Sequence, residues 1–230
     1  GALYRLTEQG NVYVNYAISQ QPPGGSSFAL AASGSGNSAN RTDFKPQKAK
    51  SSELGTKWQI FDNRLLLSAA LFRTDIENEV AANDDGTWSQ YGKKRVEGYE
   101  LSATGNLTPD WTIIAGYTQQ HATVTEGQNV AQDGSSALAY TPKHAFTLWT
   151  QYQATSDLSV GGGVRYVGSL RRGSDGAVGT PDHTEGYWVA DAKLGYRVNS
   201  NLDLQLNMYN LFDTDYVASI NKSGYRYHPG

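Results

Sequence analysis

Histidine is the first place to look for chemistry, and here it offers little: His121, His144, His183 and His228 occur singly. No His-Glu-x-x-His signature, no Gly-x-Ser-x-Gly elbow and no cysteine accompanies them. Neither a zinc site nor a nucleophile–base pair therefore has a sequence setting. The carboxylates of Asp75-Ile76-Glu77-Asn78-Glu79 lack the spacing of a calcium loop and read as a solvated strand end. More informative are cations set beside aromatic rings: Arg41 and Lys45, then Trp88, Tyr91, Lys93, Lys94 and Arg95, then the tandem Arg171-Arg172. Guanidinium and ammonium groups draw anions by Coulomb attraction, and indole and phenol rings pair with cations and flat π systems. That is equipment for binding.

These groups sit at the ends of alternating runs. In Ser51–Phe72, Leu54, Thr56, Trp58 and Ile60 share one face, while Glu53, Gly55, Lys57 and Gln59 share the other. After the turn Asp62-Asn63-Arg64, the residues Leu65, Leu67, Ala69 and Leu71 fall together again. Period two across a tight turn predicts a β-hairpin. The same alternation recurs along the chain. Val12, Val14, Tyr16 and Ile18 share a face, as do Tyr99, Leu101 and Ala103, and Trp111, Ile113, Ala115 and Tyr117. Further on, Phe146, Leu148 and Tyr152 do so, then Val160, Val164 and Tyr166, then Trp188 to Val198, then Leu202 to Met208. Opposite them stand Glu53, Lys57, Glu100, Arg165, Asp191, Lys193, Arg197 and Asp203.

The connections are of two kinds. Short polar turns at Thr7–Gly10, Asp62–Arg64, Thr108–Asp110, Thr155–Asp157 and Asn199–Asn201 recur roughly every 45–55 residues. Longer connections rich in Gly, Ser, Asn and Asp lie between them: Gln20–Lys48, Ala81–Lys94, Glu126–Lys143, Arg171–Gly186 and Asp213–Ser223. Outer-membrane barrels sort their connections this way, short on the periplasmic side and long on the extracellular side. Runs of about 9–11 residues are long enough for a tilted strand to cross hydrocarbon. Trp58, Trp111, Phe146, Trp188 and Phe212 stand near run ends, where an interfacial girdle would lie.

Composition agrees. The chain has 25 Gly, 15 Tyr, 5 Trp and only 6 Phe, a turn-rich set whose rings keep one end wet. A net charge of −3, with no basic run, gives no nucleic-acid footprint. No apolar stretch approaches the roughly 18 residues of a membrane helix, which for alternating barrel strands is the normal condition. Many charges inside a small, filled barrel would each cost several kcal/mol unless paired, whereas a large wet or plugged barrel keeps them hydrated. The expected fold is all-β, a transmembrane antiparallel β-barrel. A non-specific porin or adhesin would share the pattern. A soluble secreted β-sandwich with one solvated face remains the alternative outside the membrane.

Several stretches add a resemblance. Glu53-x-Gly55-x-Lys57, Ala70-Leu71-Phe72-Arg73-Thr74-Asp75-Ile76-Glu77-Asn78, Arg95-Val96-Glu97-Gly98-Tyr99-Glu100, Tyr140-Thr141-Pro142-Lys143-His144 and the late Asn210-Leu211-Phe212-Asp213-x-x-Tyr216 resemble the barrel of TonB-dependent outer-membrane siderophore receptors. Gln21–Gly25, Tyr91–Arg95 and Ser174–Pro181 are similar to the catecholate members. The resemblance implies a barrel of about 22 strands around a plug, of which residues 1–230 would be a C-terminal portion with about 9–11 strands. Plug and closing strand are expected to lie outside it, because an open sheet edge in lipid leaves costly unpaired backbone groups.

The resemblance further implies a monomeric transporter with no enzymatic activity, cofactor or resident metal. Its substrate would be an iron(III)–catecholate siderophore, with TonB engaged through the plug. Outer-membrane lipid and lipopolysaccharide would surround it, and phage or bacteriocin could use its loops. Arg41, Lys45, Trp88, Tyr91, Lys93, Arg95, Arg171 and Arg172 become ligand candidates, since a ferric catecholate is anionic and ringed by π systems. The competing assignment for Lys93, Lys94 and Arg171 is contact with lipopolysaccharide headgroups. Glu53, Lys57, Glu100, Arg165, Asp191 and Lys193 become candidates for the wall facing the plug.

Overall fold

In the computed structural model, residues 1–23, 43–82, 88–174 and 181–220 are described. They form ten antiparallel strands of one sheet: β1 (Ala2–Arg5), β2 (Gly10–Gln21), β3 (Gln47–Ile60), β4 (Leu65–Ala82), β5 (Trp88–Thr108), β6 (Trp111–Glu126), β7 (His144–Gln153), β8 (Leu158–Val167), β11 (Tyr187–Asn199) and β12 (Leu202–Met208). Each strand pairs with its sequence neighbours, except that β8 pairs with β11. Between those two, β9 (Leu170–Arg171) and β10 (His183–Thr184) make a small separate ribbon. Strands β1 and β12 are the outer edges of the sheet.

The short turns fall where alternation stops. At 61–64, Phe61, Asp62 and Asn63 all adopt positive φ, at 53°, 54° and 64°. Asp and Asn tolerate this left-handed region better than most residues. The Arg64 N–H and the Arg64 Nε–H both donate to the Phe61 carbonyl, at 3.2 and 2.9 Å, which closes the turn.

Register turns the alternation of each strand into two continuous faces. Leu54 opposes Leu71, which opposes Tyr99. Tyr117 opposes Phe146, then Tyr166, then Trp188, and Tyr152 opposes Val160, Leu194 and Leu206 in turn. These side chains are exposed: Leu71 keeps 59% of its surface and Leu204 54%. No large side chain is fully buried among the described residues. In water such a patch would far exceed the few hundred Å² that soluble monomers show. Against acyl chains it is the matched surface.

Two rows of rings bound this face. Tyr99–Tyr117 (5.8 Å between centroids), Phe146–Trp188 (5.9 Å) and Tyr166–Trp188 (4.8 Å) form one row. Trp111–Tyr152 (6.4 Å) belongs to the other. From Trp188 to Tyr196 on β11 is about 27 Å along the strand, or about 20 Å once tilted, close to the height of an outer-membrane apolar band. Among the described residues this bounded apolar face stays exposed, with no second sheet packed over it. The β-sandwich reading falls here.

One expectation about the connections is corrected. The second long connection was expected to run from Ala81 to Lys94, but β4 continues to Ala82 and β5 starts at Trp88. Trp88, Tyr91, Lys93, Lys94 and Arg95 are therefore strand residues. Above the rings both faces of this hairpin carry polar groups, so its period of two leaves no hydropathy signal.

The face assignment has a direct test in the intact barrel. Leu194→Arg on the outward face should cost about 2–4 kcal/mol, whereas Gln151→Arg on the inward face should be nearly neutral. Urea unfolding in lipid vesicles, followed by heat-modifiable gel mobility, measures both.

Candidate functional site: the inward wall and the upper rim

The inward side begins with the motif Glu53-x-Gly55-x-Lys57, and Tyr13 explains it. Tyr13 lies directly across from Gly55 on the neighbouring strand. Its ring lies flat over that glycine, where a Cβ would come within 2.4 Å of ring atoms. The phenol donates to Glu53 Oε1 at 2.5 Å, and Lys57 Nζ stands 5.4 Å from the ring centroid. Carboxylate, glycine and ammonium at alternate positions thus seat one tyrosine. Glu100 is on the same side of β5, with Thr118 Oγ1 3.5 Å away.

Across the sheet, Arg165 Nη2 donates to the Tyr216 hydroxyl at 2.6 Å. Tyr216 stacks on Tyr187 with centroids 4.2 Å apart. Asp191 Oδ1 accepts the Asn210 backbone N–H at 2.9 Å. Asn210 staples its own turn, accepting from Thr214 N at 3.0 Å and donating to Thr214 O at 3.1 Å. Asn210 and Asp213 both take positive φ, at 49° and 50°. The Asn-Leu-Phe-Asp-x-x-Tyr segment is therefore a chain reversal that ends β12 and folds Tyr216 back over the inward wall. Sequence reasoning named Arg165 and Asp191 but missed Tyr13, Asn210 and Tyr216 as their partners. For Asn210 and Tyr216 the available signal was their place in the Asn-Leu-Phe-Asp-x-x-Tyr segment, whereas Tyr13 lies in none of the quoted motifs. All six inward candidates, Lys193 included, lie on the face opposite the apolar one.

The upper rim is built from connections that bind each other. The Val124 N–H donates to Ser136 O at 2.7 Å, and Leu138 N to Ala122 O at 2.8 Å, so the connection after β6 extends that strand's pairing. Gln132 N donates to Arg172 O and Ser174 N to Val130 O, joining this connection to the one after β8. Arg171 forms an ion pair with Asp133 across that seam. With Ser169, Arg172, Asp182 and His183, these two line a cavity of about 270 Å³. Arg172 is 6% exposed and belongs to the seam itself, whereas about half of Arg171 stays open. His183 lies between Asp182 (2.7 Å) and Glu185 (3.1 Å). Those carboxylates, Asp182 foremost, raise the imidazole pKa, and His183 in turn lowers that of Asp182.

The other ligand candidates separate. Arg41 lies outside the described residues, as do the side chains of Trp88 and Tyr91. The Lys45 backbone N–H, just ahead of β3, donates to Gln90 Oε1 at 2.7 Å. Lys94 pairs with Glu79 at 2.6 Å. Lys93 and Arg95 are the correction. By strict alternation on β5 they share the outward side with Glu97, Tyr99 and Leu101, and they pair with Glu126 (2.7 Å) and Asp75 (2.7 Å). The sequence set Arg95 beside Lys94 as if both served one surface, but a strand sends neighbours to opposite sides. Among the described residues no group of three or more His, Cys, Asp or Glu could hold a metal ion.

With this geometry in view, the TonB-dependent receptor-like β-barrel family model matches residues 1–211. The chain belongs to that family. It is 79% identical over 230 residues to the catecholate siderophore receptor Fiu of Escherichia coli K12, covering 100% of this chain and 30% of that protein. It is 35% identical over 238 residues to the probable TonB-dependent siderophore receptor PiuA of Acinetobacter baumannii, covering 98% and 31%. The closed-form crystal structure of the ferric-catecholate import receptor Fiu superposes with a TM-score of 0.91, covering 99% of this chain and 32% of that one. The chain thus spans about a third of the length of the curated relatives it matches. It is a section of an outer-membrane β-barrel, and its relatives are receptors.

The Tyr13 seat predicts that Gly55→Ala swings the ring away and breaks its bond to Glu53. The intact barrel should lose about 1 kcal/mol. Tyr13→Phe should lose a similar amount, and the double variant little more than either alone. Equilibrium unfolding of the four proteins checks the cycle.

Proposed function

We propose that the protein containing this chain imports ferric catecholate siderophores across the outer membrane, driven by TonB. The observation that carries this reading is the 79% identity to Fiu along the entire chain, joined to a wall with one face suited to lipid and the other ionic. Residues 1–230 form the C-terminal part of the barrel domain. The inward groups Glu53, Lys57, Glu100, Arg165, Asp191 and Lys193 make the polar surface against which a plug docks. On this reading the protein needs no cofactor of its own and performs no covalent chemistry.

The upper rim supplies the ligand's cationic contacts. Arg171 is its centre, half open at the mouth of the cavity with Asp133 (Lys45 and Arg41 belong to the first long connection). Trp88 and Tyr91, whose side chains lie outside the described residues, stay the candidates for ring contacts. Arg172, buried in the seam, positions Arg171 and does not itself touch the ligand. An anionic, aromatic complex entering here gains Coulomb attraction from the guanidinium and stacking from the rings.

The intact receptor tests this. Arg171→Ala should weaken binding of a ferric catecholate about three- to tenfold, a factor that shrinks at high salt. Asp133→Asn should act in the opposite direction, since it removes a repelling carboxylate and releases the guanidinium. Fluorescence-quenching titrations at two salt concentrations measure both. Equal affinities in all three proteins would remove Arg171 from the site.

A further inference from the structure

The inward wall and the rim leave one charged surface without a role. It lies on the outward side of β3, β4 and β5. Below it that side is apolar: Leu54, Trp58, Leu67, Leu71, Tyr99 and Leu101 face out with no Asp, Glu, Lys or Arg among them. Two residues beyond Leu71 on the same face, about 7 Å along the strand, the charges begin. Lys50 opposes Asp75, which opposes Arg95, and Arg73 opposes Glu97.

The centre of this surface is one carboxylate holding two guanidinium groups. Asp75 accepts Nε–H of Arg73, two residues before it on β4, at 2.8 Å and of Arg95, directly across on β5, at 2.7 Å. Beside it, Lys50 pairs with Glu77 at 2.6 Å, and Lys93 with Glu126 at 2.7 Å. With Lys48, five cations meet the four carboxylates Asp75, Glu77, Glu97 and Glu126, so this patch is net positive on a chain of net charge −3. The guanidinium groups are partly open, with 45% of the Arg73 side chain and 33% of the Arg95 side chain accessible.

Height and direction decide what can reach these groups. They project away from the lumen, so a ligand travelling through the barrel passes on the other side of the wall. They begin just above the upper row of rings, at the level where acyl chains give way to headgroups. We propose that this lattice is a docking site for the phosphate groups of the outer-leaflet glycolipid, lipopolysaccharide. Each guanidinium can meet a phosphate with a fork of two N–H donors, while Asp75 fixes the spacing of the two forks in advance. Lys48, Lys50 and Lys93 extend the positive edge toward further phosphates. The apolar surface below, from Leu71 to Leu101, receives the acyl chains of the same molecule. The inference rests on the outer-membrane reading of the protein, and not on which siderophore is carried.

The test uses the intact receptor purified from outer membranes in mild detergent. Three proteins are compared: the parent, the triple variant Arg73→Gln/Asp75→Asn/Arg95→Gln, and Lys94→Gln, whose side chain lies on the inward side. Bound lipopolysaccharide is counted by native mass spectrometry. Affinity is measured with purified lipid A, with its dephosphorylated form and with phosphatidylglycerol as probes. The expected result is about a tenfold loss of lipid A affinity in the triple variant, no change in Lys94→Gln, and weak binding of the dephosphorylated form by all three.

Equal lipid A affinity in parent and triple variant overturns the proposal, as does phosphatidylglycerol binding as tightly as lipid A. Should the triple variant not reach the membrane, the single variants Arg73→Gln and Arg95→Gln are read in its place, each expected to lose severalfold. Ferric-catecholate-dependent growth is scored in the same strains. A parent that supports growth while the lipid result fails sinks the lipid site alone. A parent that supports no such growth sinks the transport reading and leaves the lipid measurement standing.

Discussion

Hydrocarbon offers no hydrogen bonds, and that constraint shapes everything else in this chain. A backbone crossing it must pair every N–H and C=O within the protein, which for this composition means a strand bonded to a strand on each side. Eight of the ten strands described do so here, in simple order, and the edge strands β1 and β12 are each paired on one side. Once they are paired, side chains have only two directions to point, and the two directions meet different solvents. Leucine and tyrosine outward, with glutamate and lysine inward, is the cheapest distribution, and each strand repeats it.

The inward face shows how a polar wall becomes specific. Its charged groups are not a generic hydrophilic lining. Glu53 and Lys57 seat Tyr13 over Gly55, Arg165 holds Tyr216, and Asp191 caps the reversal at Asn210. Each arrangement joins residues from different strands or connections, and each presents a firm surface rather than a set of mobile side chains. A barrel that is to hold a plug benefits from such a surface, because fewer rotamers must be immobilised when the two meet.

The top of the wall has a different logic. There the connections after β6 and β8 pair with one another through Val130, Gln132, Arg172 and Ser174, and Arg171 and Asp133 close the seam. The hairpin of β4 and β5 rises beyond the rings and carries charged groups on both of its sides. Lys94 and Arg95, adjacent in the chain, therefore project from opposite sides of the wall and pair with different carboxylates, Glu79 and Asp75.

Period two, the alternation of short turns with long connections, and the family-like stretches are all written along single strands. Local residues were therefore enough to determine an all-β membrane wall, which side of each run meets lipid, and the kind of receptor to which it belongs. Alternation alone sets Glu53, Lys57, Glu100, Arg165, Asp191 and Lys193 opposite the apolar side chains of their strands. Pairings that join one strand to another were not legible, because register is a relation between segments tens of residues apart. Only the folded sheet brings Tyr13 across Gly55, sets Arg95 across from Asp75, and buries Arg172 in a seam. The same relation turned the expected second connection into strand. Where both faces of a hairpin are polar, hydrophobicity carries no period, and the hydrogen bonds to neighbouring strands alone decide that the backbone continues.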